Sequence, residues 1–313
     1  MPSQKLEVRA RRSHRRGVIL AGGDGKRLLP LTRKISGDDR PKQFCALTGG
    51  ETLLDQTRRR VAPMIPKDQT LLLLTRTHEK FYADQVAGTP SSSLLVQPFN
   101  RGTAPAIVYG LTRLHDLDPD GIVAFFPSDH HFGDDEAFAA HIELAFTQAD
   151  VDRERVILLG IAPDGPEESY GWIEPGTALE SEASVFEVRR FWEKPSRRIA
   201  SRLMSRGCLW NSFVMVGRVS AFLNMVRRTL PVLLSTFESM VATTPRRGED
   251  EALRSVYDSI PATNFSDDVL AVSSTALSVL KADALGWSDL GEPQRVFSIA
   301  RLNLDNAWLG VPA

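Results

Sequence analysis

A glycine-rich turn followed by cations is the part of the chain best suited to chemistry. The apolar run at 18–20 is typical of a buried strand, and it breaks into a Gly-Gly-Asp-Gly turn at 22–25. Glycines at this density allow positive φ angles and a close approach of the backbone to a ligand. Lys26, Arg27 and, later, Lys42 add positive charge. Such a turn can present N–H groups and cations to phosphate, although an ordinary tight turn has the same glycines.

Two common phosphate-binding fingerprints do not fit this turn. The dinucleotide fingerprint needs a third glycine that opens a helix, but Leu28 stands there and Pro30 follows. The Walker A motif needs Gly-Lys-Ser/Thr, which is absent from the turn. Any phosphate site here must therefore use a different loop.

Asp129 is a candidate metal ligand because it follows directly after an apolar run at 122–126. Mg²⁺ prefers one or two carboxylates and takes its other ligands from phosphates and water. A carboxylate that only stabilises a turn is the alternative. His130 and His131 could suggest zinc, but no further soft ligands follow at a suitable spacing.

Polar and aromatic residues past position 163 could form a sugar site. Such sites combine planar apolar faces with carboxylate and amide groups for hydroxyls, and a cation for a phosphate. The residues of these types are Tyr170, Trp172, Glu193, Lys194 and Asn211. Each of them alone is more often structural, Trp172 and Trp210 above all.

These residues need a scaffold, and the hydrophobic pattern predicts one. Strands are predicted at 70–74, 94–96, 122–126, 156–161, 185–192 and 277–282, and helices at 52–62, 78–86, 103–117, 136–149 and within 219–260. Alternating strands and helices predict an α/β fold, doubly wound and Rossmann-like, with a mixed, mostly parallel sheet. Ligands bind at the carboxyl ends of such strands, where the polar clusters fall.

Composition bounds the function further. The 313 residues have 42% hydrophobic and 25% charged content and a formal net charge of −1, which gives no global attraction to nucleic acid or to a membrane. Two cysteines, Cys45 and Cys208, indicate free thiols in a reducing compartment, which favours the cytoplasm. We expect a disordered basic arm at 1–16, one domain at 17–300 and a tail at 301–313.

The motifs together resemble one family. Leu-Ala-Gly-Gly-x-Gly-x-Arg-x-x-Pro-Leu-Thr followed by Arg-Pro-Lys-Gln-Phe, at 20–44, resembles the sugar-1-phosphate nucleotidyltransferases and, within them, the mannose-1-phosphate guanylyltransferases. Pro-x-Asp-His, Tyr-Gly-x-Ile, Glu-Lys-Pro, Trp-Asn-Ser and Gly-Trp-x-Asp-x-Gly follow in the family's order. The resemblance covers about residues 17–292 and implies a nucleotidyltransferase fold with a helical insertion on the sugar side.

The resemblance also implies roles for particular residues. Asp129 and Asp289 would bind Mg²⁺, and Arg27, Lys42 and Asp129 would be catalytic. The implied nucleotide-binding residues are Leu20, Ala21, Gly22, Gly23, Gly25, Arg27, Lys42, Gln97, Arg101 and Thr103. The implied residues for the sugar phosphate are Tyr170, Gly171, Glu193, Lys194 and Asn211.

Several positions depart from the family pattern. Gln97 stands where guanylyltransferases have Glu, and Gly102 where they have Asn, so the base stays open. Thr103 could equally cap the helix that follows it. Phe213 stands where relatives often have Gly after Trp-Asn-Ser. The segment 264–268 fits its family motif poorly, and no role is carried over to its acids.

The implied reaction joins GTP, or another nucleoside triphosphate, to a sugar 1-phosphate with Mg²⁺ as cofactor. Mannose 1-phosphate is the favoured acceptor, and GDP-mannose and pyrophosphate are the products. The alternatives are another base or sugar, or a catalytically silent subunit that binds a nucleotide sugar. A nucleic-acid binder is disfavoured by the net charge, and a homodimer is left open.

Overall fold

The predicted strands form one sheet in a computed structural model that describes residues 14–179 and 182–300. The sheet has nine strands in the order β3-β2-β1-β4-β8-β5-β9-β7-β6. The strands are β1 (Arg15–Leu20), β2 (Thr70–Thr75), β3 (Leu94–Gln97), β4 (Ile122–Pro127), β5 (Val156–Ile161), β6 (Gly171–Leu179), β7 (Glu182–Glu193), β8 (Leu209–Arg218) and β9 (Leu277–Ala282). All of them except β7 and β8 run in the same direction, which confirms the mixed, mostly parallel sheet.

Helices cover both faces of this sheet. They are α1 (Leu29–Ser36), α2 (Leu53–Val61), α3 (Glu79–Tyr82), α4 (Thr103–Leu117), α5 (Asp135–Val151), α6 (Arg197–Ser205), α7 (Val219–Thr229), α8 (Pro231–Thr243), α9 (Glu249–Ser259) and α10 (Pro293–Ala300). The predicted helix at 78–86 is shorter than expected, because the chain passes into turns after Tyr82 that lead to Gly88 at φ 80°. None of the described helices is long and apolar enough to span a membrane.

Side chains alternate between the two faces, as the pleat of a strand requires. Val18 of β1 belongs to a core on one face that also contains Ile107 of α4 and Phe222 of α7. Ile19, the next residue, belongs to the core on the other face, with Phe138 of α5. Both strand faces are therefore buried, which is why the sequence has continuous apolar runs there instead of alternation.

The basic arm was predicted to be disordered as far as residue 16, and this boundary is wrong at its end. Arg15 and Arg16 begin β1, pairing in register with Ile122 and Val123 of β4. Arg16 donates to Asp118 and Arg15 to Glu143, so their charges have partners that the local sequence does not reveal. The rest of the arm, 1–13, and the predicted tail at 301–313 lie outside the described residues.

The sheet brings the predicted site to one edge. β1 and β4 run parallel, so the glycine turn after β1 lies beside the loop that carries Asp129 after β4. β8 runs in the opposite direction and contributes its first residues, with Asn211 opposite Gly160 near the end of β5. The hairpin of β6 and β7 adds Gly171 opposite Glu193.

Candidate active site

A cavity of about 460 Å³ opens at this edge of the sheet. It is lined by Gly25, Lys26, Arg27, Leu28, Lys42, Thr103, Asp129, His130, Ser169, Tyr170, Gly171, Glu193, Lys194, Asn211, Phe213, Ser266, Trp287, Asp289 and Gly291. Residues predicted for nucleotide, metal and sugar phosphate thus meet in one place, although they are spread over most of the chain.

The two predicted metal carboxylates converge because their loops are tied together. His131 and Ser288 form an isolated antiparallel bridge, in which each amide donates to the other's carbonyl at 2.8 and 3.0 Å. Asp129 lies two residues before this bridge on one loop, and Asp289 follows it directly on the other. The Trp287 indole N–H also donates to His130, at 3.3 Å. The acids therefore share one wall of the cavity.

Lys42 joins these two loops from the segment that follows α1. It begins a short 3-10 turn, Lys42–Phe44, and is only 7% exposed. Its Nζ lies 3.2 Å from Asp129 Oδ2 and donates to the main-chain carbonyls of Asp289 and Leu290. Burial alone would raise the pKa of Asp129, but Lys42 and His130 outweigh it, so the pKa lies below its usual value. Asp129 is therefore an anion that can meet a cation.

The glycine turn is held rigidly from beneath. Gln43 donates its amide N–H groups to the carbonyls of Ala21 and Gly23 at 3.1 and 2.7 Å. Thr75 donates to the carbonyl of Gly22 at 2.9 Å. Gly25 has φ 58° and leads into the 3-10 turn that carries Arg27 into the cavity. The turn is thus held in shape by side chains of the protein itself.

We expect Gly22→Ala to destabilise the protein, because there is no room for a methyl group. A Cβ at this position would lie 2.2 Å from Gln97 Nε2 and 2.9 Å from Thr75 Oγ1. Overpacking of this kind typically costs about 1–3 kcal/mol of unfolding free energy, measurable by urea titration. Gly23→Ala is the matched control, since a Cβ there meets no atom within 4 Å. Equal stability of the two variants would contradict the prediction.

Leu20, Ala21, Gly22 and Gly23 form the base of the turn and do not line the cavity wall. Leu20 contributes its carbonyl, which accepts from the Ser128 hydroxyl at 2.8 Å and thereby joins the turn to the loop of Asp129. The predicted nucleotide contacts of these four residues stay predictions that concern their backbone.

Gln97 and Arg101, predicted to bind the nucleotide, both have partners within the protein, and their nucleotide contacts stay predictions. Gln97 is 2% exposed and lies outside the cavity wall. Its amide donates to Thr75 and accepts from the Tyr257 hydroxyl, both at 2.9 Å. Arg101 donates from Nε to the Tyr257 carbonyl at 2.9 Å, and its guanidinium lies 4.9 Å from the Phe99 ring. These side chains attach α9 to the glycine turn.

Thr103 lines the cavity, but its predicted capping role is wrong. Gly102, at φ 87°, is the N-cap of α4, and the helix has no side-chain cap. The Thr103 hydroxyl instead accepts from the amide of Phe265 at 2.8 Å. Gly102 is required here, because a Cβ would lie 2.3 Å from the carbonyl oxygen of Thr263. This contact explains a glycine where the resembled family has asparagine.

The predicted sugar-phosphate residues surround Gly171. A Cβ on Gly171 would lie 2.8 Å from the Phe191 ring and 3.0 Å from Glu193 Oε2. Glu193 Oε1 lies 3.0 Å from Lys194 Nζ. Burial raises the pKa of Glu193 above its ordinary value, and Lys194 opposes the rise without cancelling it. Asn211 Oδ1 accepts from the Phe213 amide at 3.1 Å.

Tyr170 differs from the other predicted sugar residues because its hydroxyl faces one of the two predicted metal carboxylates. It is 4% exposed, and its hydroxyl donates to Asp289 Oδ1 at 2.7 Å. The ring packs edge-on against Trp210 and Trp287, and the Arg295 guanidinium from α10 lies 4.9 Å from its centroid. Asp289 Oδ1 also accepts from the amide of Gly291 at 2.9 Å. The geometry therefore makes Tyr170 an orienting partner of Asp289.

Other cavity residues were not among the candidates. They are Lys26, Leu28, His130, Ser169, Phe213, Ser266, Trp287 and Gly291. Adjacency to a motif could have indicated most of them. Ser266 had no such signal, because it lies in the segment that departs from the family motif.

The carboxylates of the cavity suit a hard divalent cation that takes its remaining ligands from substrate phosphates and water. No group of three or more histidine, cysteine, aspartate or glutamate side chains within 14–179 and 182–300 could hold a metal alone. Asp129 and Asp289 supply two carboxylates at one wall. Mg²⁺ is bound in proteins by one or two carboxylates together with phosphates and water, which matches this set.

Comparisons with known proteins agree with this geometry. The profile of a nucleotidyl transferase family matches residues 16–306. The chain is 31% identical over 284 residues to the alginate biosynthesis protein AlgA of Pseudomonas syringae pv. tomato, covering 88% of this chain and 56% of that protein. It is 29% identical to the mannose-1-phosphate guanylyltransferase of Escherichia coli, covering 90% of this chain and 59% of that protein. The chain thus spans less than two thirds of these curated relatives.

A solved structure shares the fold. The crystal structure of mannose-1-phosphate geranyltransferase from Thermus thermophilus superposes with a TM-score of 0.79 at 30% identity, over 91% of this chain and 79% of that chain. Because the profile spans nearly the whole chain and a solved relative repeats its fold, this chain belongs to the nucleotidyl transferase family.

Proposed function

We propose that this chain transfers a guanylyl group from GTP to mannose 1-phosphate, giving GDP-mannose and pyrophosphate with a divalent cation. The observation that carries the proposal is the meeting of Asp129, Asp289 and Lys42 beside the glycine turn. The choice of base and sugar is supported by the names of relatives such as the mannose-1-phosphate guanylyltransferase of Escherichia coli. The chain's two buried free cysteines favour a reducing compartment such as the cytoplasm.

In this reaction a phosphate oxygen of the sugar 1-phosphate attacks the α-phosphorus of the triphosphate. A P–O bond forms, the bond from the α-phosphorus to the bridging oxygen breaks, and pyrophosphate leaves with that electron pair. The acceptor phosphate is already nucleophilic, so the barrier comes mainly from charge repulsion and alignment. The protein therefore has to supply position and positive charge, with no need for a general base.

We assign these tasks to the cations of the cavity. Arg27, on the turn after Gly25, would neutralise the leaving phosphates, and Lys194, beside Glu193, would receive the sugar phosphate. Lys42, fixed between the two acid loops, would face the transferred phosphoryl group. Mg²⁺ held by Asp129 and Asp289 would screen the charge of the two substrates.

A matrix of the four common nucleoside triphosphates against several sugar 1-phosphates, scored by pyrophosphate release, tests the proposal. We expect the highest kcat/KM for GTP with mannose 1-phosphate and no release without divalent cation. A better pair would change the substrate assignment. No turnover with any pair, together with tight binding of a nucleotide sugar in calorimetry, would favour the silent binding subunit. Light scattering of the same sample tests the homodimer that the sequence leaves open.

We expect Tyr170→Phe to weaken metal use, because it removes the hydroxyl that orients Asp289 and leaves the packed ring. Loss of such an outer partner typically costs about 10–100-fold in metal affinity or activity. The half-saturating Mg²⁺ concentration should rise, with a parallel loss of Mn²⁺ binding in electron paramagnetic resonance. Tyr82→Phe, in the core away from the cavity, is the control. A change confined to the KM for the sugar phosphate would contradict this expectation and support the predicted sugar contact.

A further inference from the structure

Phe213 has a backbone conformation that its side chain does not favour. Its φ is 59°, in the left-handed region that bulky residues rarely adopt. Such conformations persist only where the surroundings fix them, and they occur most often at functional sites. The presence of a phenylalanine side chain at this φ therefore requires a reason of its own.

The neighbours of Phe213 fix this conformation. The Asn211 side chain accepts from its amide at 3.1 Å, and the Ser212 hydroxyl accepts from the Val214 amide at 3.2 Å. The Ser212 hydroxyl also donates to the Leu159 carbonyl at 2.7 Å. The register between β5 and β8 shifts at this point, between Leu158 and Gly160. The kink belongs to the strand pairing and would form with glycine in place of Phe213 at less cost.

The ring lies where it can affect the acceptor. Phe213 lines the cavity together with Asn211, Glu193 and Lys194, and it is half-buried against the core on that face of the sheet. Glycine at this position would leave the space of the ring open. A planar apolar wall beside polar groups is typical of a pocket that limits the shape of a sugar.

We infer that the Phe213 ring is a specificity determinant that limits the bulk of the sugar 1-phosphate accepted beside Asn211 and Glu193. The inference rests on the proposed function, since it concerns the acceptor of that reaction. The wild-type protein then favours an unsubstituted hexose 1-phosphate over an N-acetylhexosamine 1-phosphate. The triphosphate, which we place at the glycine turn, should be unaffected by the ring.

The test compares kcat/KM for mannose 1-phosphate and N-acetylglucosamine 1-phosphate in the wild type and in Phe213→Gly. We expect the ratio to shift by at least ~10-fold toward the N-acetylated acceptor, the lower end of what a few methylene-sized contacts discriminate. The KM for the triphosphate should change less than about twofold, since that ligand lies outside the expected reach of the ring. Phe213→Asn is the second variant, because asparagine also tolerates the left-handed region and keeps the fold testable.

Phe186→Ala is the matched control for lost packing. Phe186 is a half-buried phenylalanine packed against the same core, and it does not line the cavity. Its substitution should leave the acceptor ratio unchanged. An unchanged ratio in both Phe213 variants, or an effect on the triphosphate alone, would overturn the inference.

Failure of the proposed function has a different signature. In that case the wild type shows no turnover with any acceptor, and the same comparison is made by calorimetry with the two sugar 1-phosphates. A shift of the binding ratio in Phe213→Gly by the same ~10-fold would then still support the inference. Equal ratios in wild type and variant would reject it.

Discussion

Asp129→Asn is expected to lower kcat/KM by about 10²–10³-fold, equal to ~2.7–4 kcal/mol of transition-state stabilisation. The substitution keeps the shape of the side chain and removes the charge that faces Lys42 at 3.2 Å. With the charge gone, the wall shared with Asp289 keeps only one carboxylate for a divalent cation. The half-saturating Mg²⁺ concentration should therefore rise together with the fall in rate. Steady-state kinetics across a Mg²⁺ series measures both effects.

Asp283→Asn is the control for Asp129→Asn. Asp283 lies on the segment that leads to Asp289, but it is exposed and pairs with Lys281 at 3.5 Å. An exposed pair of this kind contributes little, so activity and Mg²⁺ dependence should stay near wild type. Full activity of Asp129→Asn would reject the proposed metal site, because the Asp129 carboxylate would then not be needed to bind the cation.

Lys42→Met is expected to lower kcat/KM by about 10²-fold or more, because a fixed cation is removed from the place where two phosphates meet. Methionine keeps most of the aliphatic part of the lysine side chain, so the loss of kcat/KM measures the effect of removing the charge. The Nζ also holds the carbonyls of Asp289 and Leu290, and these would lose a donor. Unfolding free energy should therefore fall by about 1–3 kcal/mol, the cost of unsatisfied buried groups.

A double-mutant cycle separates the two roles of Lys42. If Lys42 acts mainly through Asp129, the double variant Asp129→Asn/Lys42→Met should lose much less activity than the product of the two single losses. Additive losses would mean that the lysine acts directly on substrate. Lys281→Met, on an exposed lysine 45% accessible and paired with Asp283, is the control for removal of a cation. Wild-type activity in Lys42→Met would contradict the proposed mechanism.

The strands could be predicted from local sequence because both faces of the sheet are buried. The apolar run at Val156–Ile161 matches β5 from end to end, and Leu277–Ala282 matches β9. The prediction of secondary structure was weaker where a segment is buried on one face only, or where residues distant in sequence bury it. Arg15 was assigned to a disordered arm, since only the folded chain brings Glu143 to it.

The candidate site could be predicted as a set of residue types, and less well as a set of side-chain directions. Tyr170 and Gln97 were both expected to touch substrate. The Tyr170 hydroxyl points to Asp289, and the Gln97 amide is used by Thr75 and Tyr257. A motif fixes the position of a residue along the chain, whereas its hydrogen-bond partner is chosen by elements that arrive from far away in sequence.

The sequence by itself determined the fold class, the glycine turn and which carboxylates and cations are candidates, because these follow from local periodicity and residue chemistry. Only the tertiary structure decided that Asp129 and Asp289 meet. Their loops lie about 160 residues apart in the chain and are joined by the bridge of His131 and Ser288. Two main-chain hydrogen bonds between distant segments are invisible to any local pattern, since every residue type except proline can both donate and accept them.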